Sequence, residues 1–167
     1  MNILWIKDGK LGHEKQVKVL LDELSKTIDI KVYEEEYIIG SFQRITDILY
    51  YASRSNELIH HVKYHKKNIH LIIGAGSNTH ARVLQIKRGL KHDFNEKVLA
   101  ISLLVPSFFK QHFDLICAPK HDRHKLSGYE AIYFEGSLAK VSIDAVDESI
   151  GLIAIGGKNE HYLFNVN

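Results

Sequence analysis

The feature that most limits what this chain can fold into is a repeated passage from a short apolar run, through a glycine turn, into an amphipathic helix. Ile3-Leu4-Trp5-Ile6 runs into Asp8-Gly9-Lys10-Leu11-Gly12, and over residues 14–26 the apolar residues Val17, Leu20, Leu21 and Leu24 recur at helical spacing. The passage repeats at Ile69-His70-Leu71-Ile72-Ile73, closed by Gly74-Ala75-Gly76. Ala81, Leu84 and Ile86 follow it in a helix expected to end near Gly89. Short runs that are apolar at every position suit strands buried on both faces, and such parallel strands are joined by crossover helices. Ile28, Ile30, Val32 and Tyr33 predict a strand between the two passages. Phe42, Ile45, Ile48, Leu49 and Ala52 predict an amphipathic helix after it, with Leu58, Ile59 and Val62 continuing helically. Further short apolar runs at 98–105, 115–118 and 132–134 complete the alternation. The expected fold is α/β: a Rossmann-like, doubly wound, mainly parallel sheet in three α/β/α layers.

At 167 residues one principal domain is expected, over 1–148. Ile150-Gly151-Leu152-Ile153-Ala154-Ile155-Gly156-Gly157 then reads as a fresh strand entering a glycine turn with no helix-length segment after it. Residues 149–167 are therefore read as the leading strand and turn of a truncated second domain. An unpaired strand over 150–155 would add to a sheet edge, either that of a second copy in a homodimer or that of a further domain. A hydrophobic fraction of 45% with 25% charged residues excludes a disordered chain, and a net charge of +2 with scattered Lys and Arg argues against nucleic-acid binding. The single cysteine, Cys117, has no disulfide partner within the chain and lies in an apolar run, as a buried inert thiol does. No apolar run approaches the ~20 residues of a membrane span. The absence of a basic segment ahead of the first apolar run points to the cytoplasm, in solution or peripheral to the inner face of a membrane.

Both glycine turns are placed to carry chemistry. A turn at the carboxyl end of a parallel strand aims the free N–H groups of the next helix above the sheet, where doubly wound proteins bind ligands. The first turn offers Gly9, Lys10, Gly12, His13, Glu14 and Gln16, of which His13 carries an imidazole able to act as a general base near neutral pH. The second offers Gly74, Gly76, Ser77, Thr79 and His80. Thr79 stands where a dinucleotide fingerprint has its third glycine, which disfavours NAD. Structural roles are open for both: glycines that permit a tight turn, and Ser77, Asn78 or Thr79 as a helix cap. The chain has 11 histidines, yet none stands at zinc-site spacing, so they read as a solvated face and not as a metal centre.

Three blocks, Trp5 to Gln16 (WIKDGKLGHEKQ), Leu71 to His80 (LIIGAGSNTH) and Phe113 to Asp122, resemble in order and separation the mitochondrial fission Elm-type family. Ile155-Gly156-Gly157 resembles the start of that family's second domain, while Val105-Pro106-Ser107-Phe108 stands where the family usually has an Asp-Pro-Arg-like element. Members look like GT-B glycosyltransferases, with two Rossmann-like domains facing a cleft. The resemblance implies that this chain is the acceptor-side half, with a nucleotide sugar as co-substrate and no tightly bound cofactor. It also implies a saccharide or lipid-linked acceptor, and weak or no activity without the donor-binding half. His13 would deprotonate the acceptor hydroxyl, backbone amides at Gly12 and Gly76 would hold oxygens, and His121 and Asp122 would end a later strand at the same rim. The alternative is a non-catalytic binding or interaction module on an inherited fold.

Overall fold

A computed structural model of the chain describes residues 1–53 and 58–140, except for the side chains of 58–61. The expected strand at 150–155 and the second-domain segment 149–167 lie outside the described residues. The strands are β1 (Asn2–Lys7), β2 (Lys31–Glu36), β3 (Leu71–Ala75), β4 (Leu99–Leu103), β5 (Leu115–Pro119) and β6 (Ala131–Phe134). The helices are α1 (Leu11–Ser25), α2 (Ser41–Ala52), α3 (Leu58–His65) and α4 (Ser77–Phe94), with short 3-10 helices at Lys110–His112 and Lys120–Leu126. All neighbouring strands pair in parallel, in the order β2-β1-β3-β4-β5-β6. The Rossmann-like reading of the sequence is thus the observed architecture.

The continuous apolar runs exist because each strand feeds two cores. Ile3, Trp5, Leu71, Ile73, Ala75 and Leu103 join Val17 and Leu21 of α1 on one face of the sheet. Leu4, Ile6, Ile72, Ala100, Ile116 and Ala118 join Leu84, Ile86 and Leu90 of α4 on the other. Fully burying side chains of this size stabilises by roughly 1.5–3 kcal/mol each, which makes the sheet a rigid base for its loops.

The strand order sets the position of the site. The chain leaves β1 toward β2 on one side and returns to β3 on the other, so the connections diverge between β1 and β3. This is the switch point at whose carboxyl edge an open α/β sheet leaves a crevice. The register aligns Ile6 with Gly74, and therefore brings the two glycine turns side by side.

Three local expectations are corrected. Helix α4 does not stop near Gly89, which is buried in its interior. It runs on to Phe94 and ends at Asn95, whose left-handed conformation (φ 55°) turns its N–H back to Leu90 O. Helix α2 is present, but the face carrying Phe42, Ile45 and Leu49 is exposed (80%, 57% and 63%), and the buried residues are Asp47 and Tyr51. The physical reason is polar docking: Asp47 accepts hydrogen bonds from Tyr37 Oη (2.6 Å) and Gln43 Nε2 (2.9 Å), and its carbonyl accepts one from Gln85 of α4 (3.2 Å). Cys117 is partly and not fully buried, though burial still pushes its thiol pKa up, away from the reactive thiolate.

Candidate functional site

The first turn is organised by Asp8, the residue that follows β1. Its carboxylate is buried and serves two donors: Oδ1 accepts the backbone N–H of Lys10 (3.1 Å), and Oδ2 lies 2.8 Å from Nδ1 of His13. A carboxylate only accepts, so Nδ1 carries a proton, and in the neutral ring, which is 26% exposed, Nε2 holds the lone pair. Gly9 (φ 77°) makes the bend, and its N–H reaches Glu14 Oε1 (3.1 Å). Glu14 also pairs with Lys7 (3.5 Å), which engages Glu34 (3.1 Å) as well. Glu14 thereby closes the turn, and Asp8 and His13 supply its chemistry.

The second turn makes room for the first. Gly76 has φ 82° and ψ 154°, a region that essentially only glycine occupies. A Cβ there would collide with the His13 imidazole and stand 3.0 Å from Asp8 Oδ2. Gly74 is needed for packing within its own unit, since its Cβ would meet Thr79 Cβ at 2.9 Å and Val83 Cγ2 at 3.0 Å.

Thr79 and His80 are turned into the protein and do not line the edge. Thr79 is fully buried, its hydroxyl serving Gly76 O (3.0 Å) and Ala75 O (3.3 Å). The His80 ring lies 3.0 Å from Ser102 Oγ through Nε2. Ser102 gives its one hydroxyl proton to Leu104 O (2.8 Å), so His80 Nε2–H is the donor and Nδ1 is left as a buried acceptor with no partner. Burial above all, then the charge of Arg44 and that of His13 when protonated, lowers the pKa of His80 to about 3, which keeps it neutral.

Of the remaining expected residues, Lys10 and Gly12 lie exposed at the start of α1, and Ser77 opens α4 half-buried. Gln16 bonds back to Gly12 O (3.2 Å). His121 and Asp122 do follow β5 at the same edge, but β4 separates that strand from β3. Asp122 is occupied by Lys125 (2.6 Å), so neither is brought to the Asp8–His13 pair. In the sequence Asp8 reads as an ordinary turn residue. Its signal was a carboxylate placed directly after a buried strand and five residues before a histidine.

A polar cavity of about 360 Å³ lies beyond β2, lined by Tyr37, Gln43, Asp47, Tyr50, Arg82 and Gln85 among others. It adjoins the first turn, since Tyr37 N–H bonds Lys7 O (2.7 Å) and the Ile38 side chain covers Gly9. Burial and the Asp47 carboxylate push the Tyr37 hydroxyl far up. At Glu35 burial opposes ionisation, but hydrogen bonds from Tyr64 and Lys63 and the charge of Arg82 hold the carboxyl below its usual range. No group of three or more His, Cys, Asp or Glu side chains among the described residues can hold a metal ion, and no described helix is long and apolar enough to cross a membrane.

No curated protein and no solved structure matches the chain. The family described as Mitochondrial fission ELM1 matches over residues 11–167, which takes in His13 and all of the second turn and begins after Asp8, Gly9 and Lys10. The chain belongs to the mitochondrial fission ELM1 family.

Proposed function

We propose that this domain is the acceptor-side wall of a GT-B-type sugar transferase. The observation that carries the reading is the Asp8–His13 pair beside the switch point, with the imidazole held through Nδ1 and partly exposed. Asp8 fixes the tautomer and the ring orientation, which is how a carboxylate prepares a histidine for proton abstraction. In the reaction His13 Nε2 takes the proton of an acceptor hydroxyl and the freed oxygen bonds to the anomeric carbon of a nucleotide sugar. The bond from that carbon to the diphosphate breaks, and its electron pair leaves with the nucleoside diphosphate. The acceptor is a saccharide or a lipid-linked molecule. Transfer further needs a facing wall that holds the donor and excludes water.

The test is acceptor-dependent release of nucleoside diphosphate across a panel of nucleotide sugars, with a donor wall present in the assay. His13→Ala and Asp8→Asn are each expected to lower the rate by about 10²–10⁴-fold while leaving the circular-dichroism spectrum unchanged. Acceptor binding by the isolated chain, without nucleotide binding and lost in His13→Ala, supports the same reading. Absence of both hydrolysis and transfer across the panel would sink it.

A further inference from the structure

The polar cavity of about 360 Å³ beyond β2 is walled by groups whose hydrogen-bonding capacity the fold uses only in part. Asp47 is 7% exposed, yet among the described residues its carboxylate forms no ion pair. Its two oxygens accept from Tyr37 Oη and Gln43 Nε2, one neutral donor each. A carboxylate has roughly four acceptor sites, so about two remain. Gln85, 8% exposed, donates from Nε2 to Asp47 O (3.2 Å). A carbonyl only accepts, which fixes the orientation of the Gln85 amide and leaves Oε1 as an acceptor with no partner among the described residues. Arg82 commits Nε to Glu35 (3.0 Å) and Nη2 to Tyr64 Oη (3.1 Å), while Nη1 has no hydrogen-bond partner among the described residues.

The charge balance narrows what such a cavity selects. Glu35 is shared by Arg82 (3.0 Å) and Lys63 (2.9 Å), and the surplus positive charge of that group offsets the lone carboxylate of Asp47. The Tyr37 phenol stays protonated, because burial and Asp47 push its pKa far up. The walls therefore favour neither an anion nor a cation, and they offer acceptors at Asp47 and Gln85 together with a donor at Arg82. A hydroxyl both gives and takes a hydrogen bond, so a neutral molecule with several adjacent hydroxyls satisfies all three. The volume lies near the lower end of the roughly 300–1,000 Å³ typical of small-molecule sites, which suits one ring and not a chain.

We propose that this cavity holds a single neutral sugar ring, with Asp47 and Gln85 Oε1 accepting from its hydroxyls and Arg82 Nη1 donating to one of its oxygens. The inference rests on the acceptor-side reading above and names the acceptor as a saccharide. The cavity adjoins the turn that carries His13, through the Tyr37 N–H on Lys7 O and the Ile38 side chain on Gly9.

The experiment is an NMR titration of the full chain with the methyl glycosides of several hexoses, following the side-chain amides of Gln43 and Gln85, with uridine and tetramethylammonium as comparisons. The expected result is saturable shifts of both amides with at least one hexoside. Gln85→Met, which keeps the length and removes the free acceptor, should weaken that binding by about tenfold. Thr46→Phe, at a wall position whose side chain takes no part in the Asp47 hydrogen bonds, should fill the cavity and abolish binding, so the test survives if the first variant does not fold. No shift with any hexoside up to its solubility, the same shifts from uridine or tetramethylammonium but not from sugars, or hexoside binding undiminished in Thr46→Phe would each overturn the proposal. Hexoside binding that Thr46→Phe abolishes, without sugar transfer, leaves this subsite standing and removes the transferase. Transfer to a simple alcohol at the same rate in Thr46→Phe as in the parent, with no hexoside bound by the parent, does the reverse.

Discussion

The two glycine turns read alike in the sequence and do opposite things in the structure. After β1 the buried carboxylate of Asp8 holds the partly exposed His13 ring. After β3 the corresponding polar side chains, Thr79 and His80, are buried, and what reaches the crevice is backbone and the space left by a missing Cβ at Gly76. The first turn contributes side chains and the second contributes clearance for them. A motif of glycines after a strand therefore marks a place in the fold and leaves open whether side chains or backbone will act there.

The sharpest way to break this contrast is Gly76→Ala. Strain at φ 82° together with the collision at His13 is expected to cost about 3 kcal/mol or more, read as a shift in the urea midpoint, and to displace the His13 ring. A neutral effect would mean that the turns do not meet as described. Gly74→Ala tests clearance within the second unit alone. About 2 kcal/mol should be lost, and Thr79→Ala made in the same chain should recover part of it, because it removes Thr79 Oγ1, the atom nearest to the added Cβ at 2.5 Å. Asp8→Ala tests the first turn, leaving the Lys10 N–H and His13 Nδ1–H without their acceptor. A loss of about 1–2 kcal/mol is expected by thermal or urea unfolding.

A smaller effect depends on pH. His80 stays neutral in the folded chain until the pH nears about 3, whereas an unfolded histidine takes its proton near 6.5. The unfolded state thus binds more protons in that window, so stability is complete above pH 6.5 and declines as the pH falls toward 3. His80→Gln, which keeps a donor toward Ser102, should flatten this slope in urea midpoints taken across the window. The smallest effect belongs to the exposed face of α2: Phe42→Ser should move stability by no more than about 0.5 kcal/mol, where a core-facing Phe42 would have cost several times that.

The sheet was legible in the sequence because strands buried on both faces leave an unmistakable mark, as Ile3-Leu4-Trp5-Ile6 and Leu71-Ile72-Ile73 do. The edge at which the turns meet followed from the same alternation. Periodicity could not show which side of α2 faces inward. It reports a stripe at Phe42, Ile45 and Leu49, but burial was decided by hydrogen bonds among Tyr37, Asp47 and Gln85 that link three separate segments. His13 could be picked out because its turn and its chemistry are adjacent in the chain. Asp8 could not, since its contact with a ring five residues on exists only once the turn is folded. Thr79 and His80 were expected at the rim because helical phase at an uncapped N-terminus is not readable to within one residue.

Because the His13 ring fills the volume that a side chain at Gly76 would need, the two positions are not free to vary independently. Gly76→Ala should be less harmful in a chain that already carries His13→Ala, with the remaining penalty set by backbone conformation and by Asp8 Oδ2 at 3.0 Å. In genetic terms the pair should behave as an epistatic unit, so a lineage that gave up the imidazole would also relax the requirement for glycine 63 residues later in the chain.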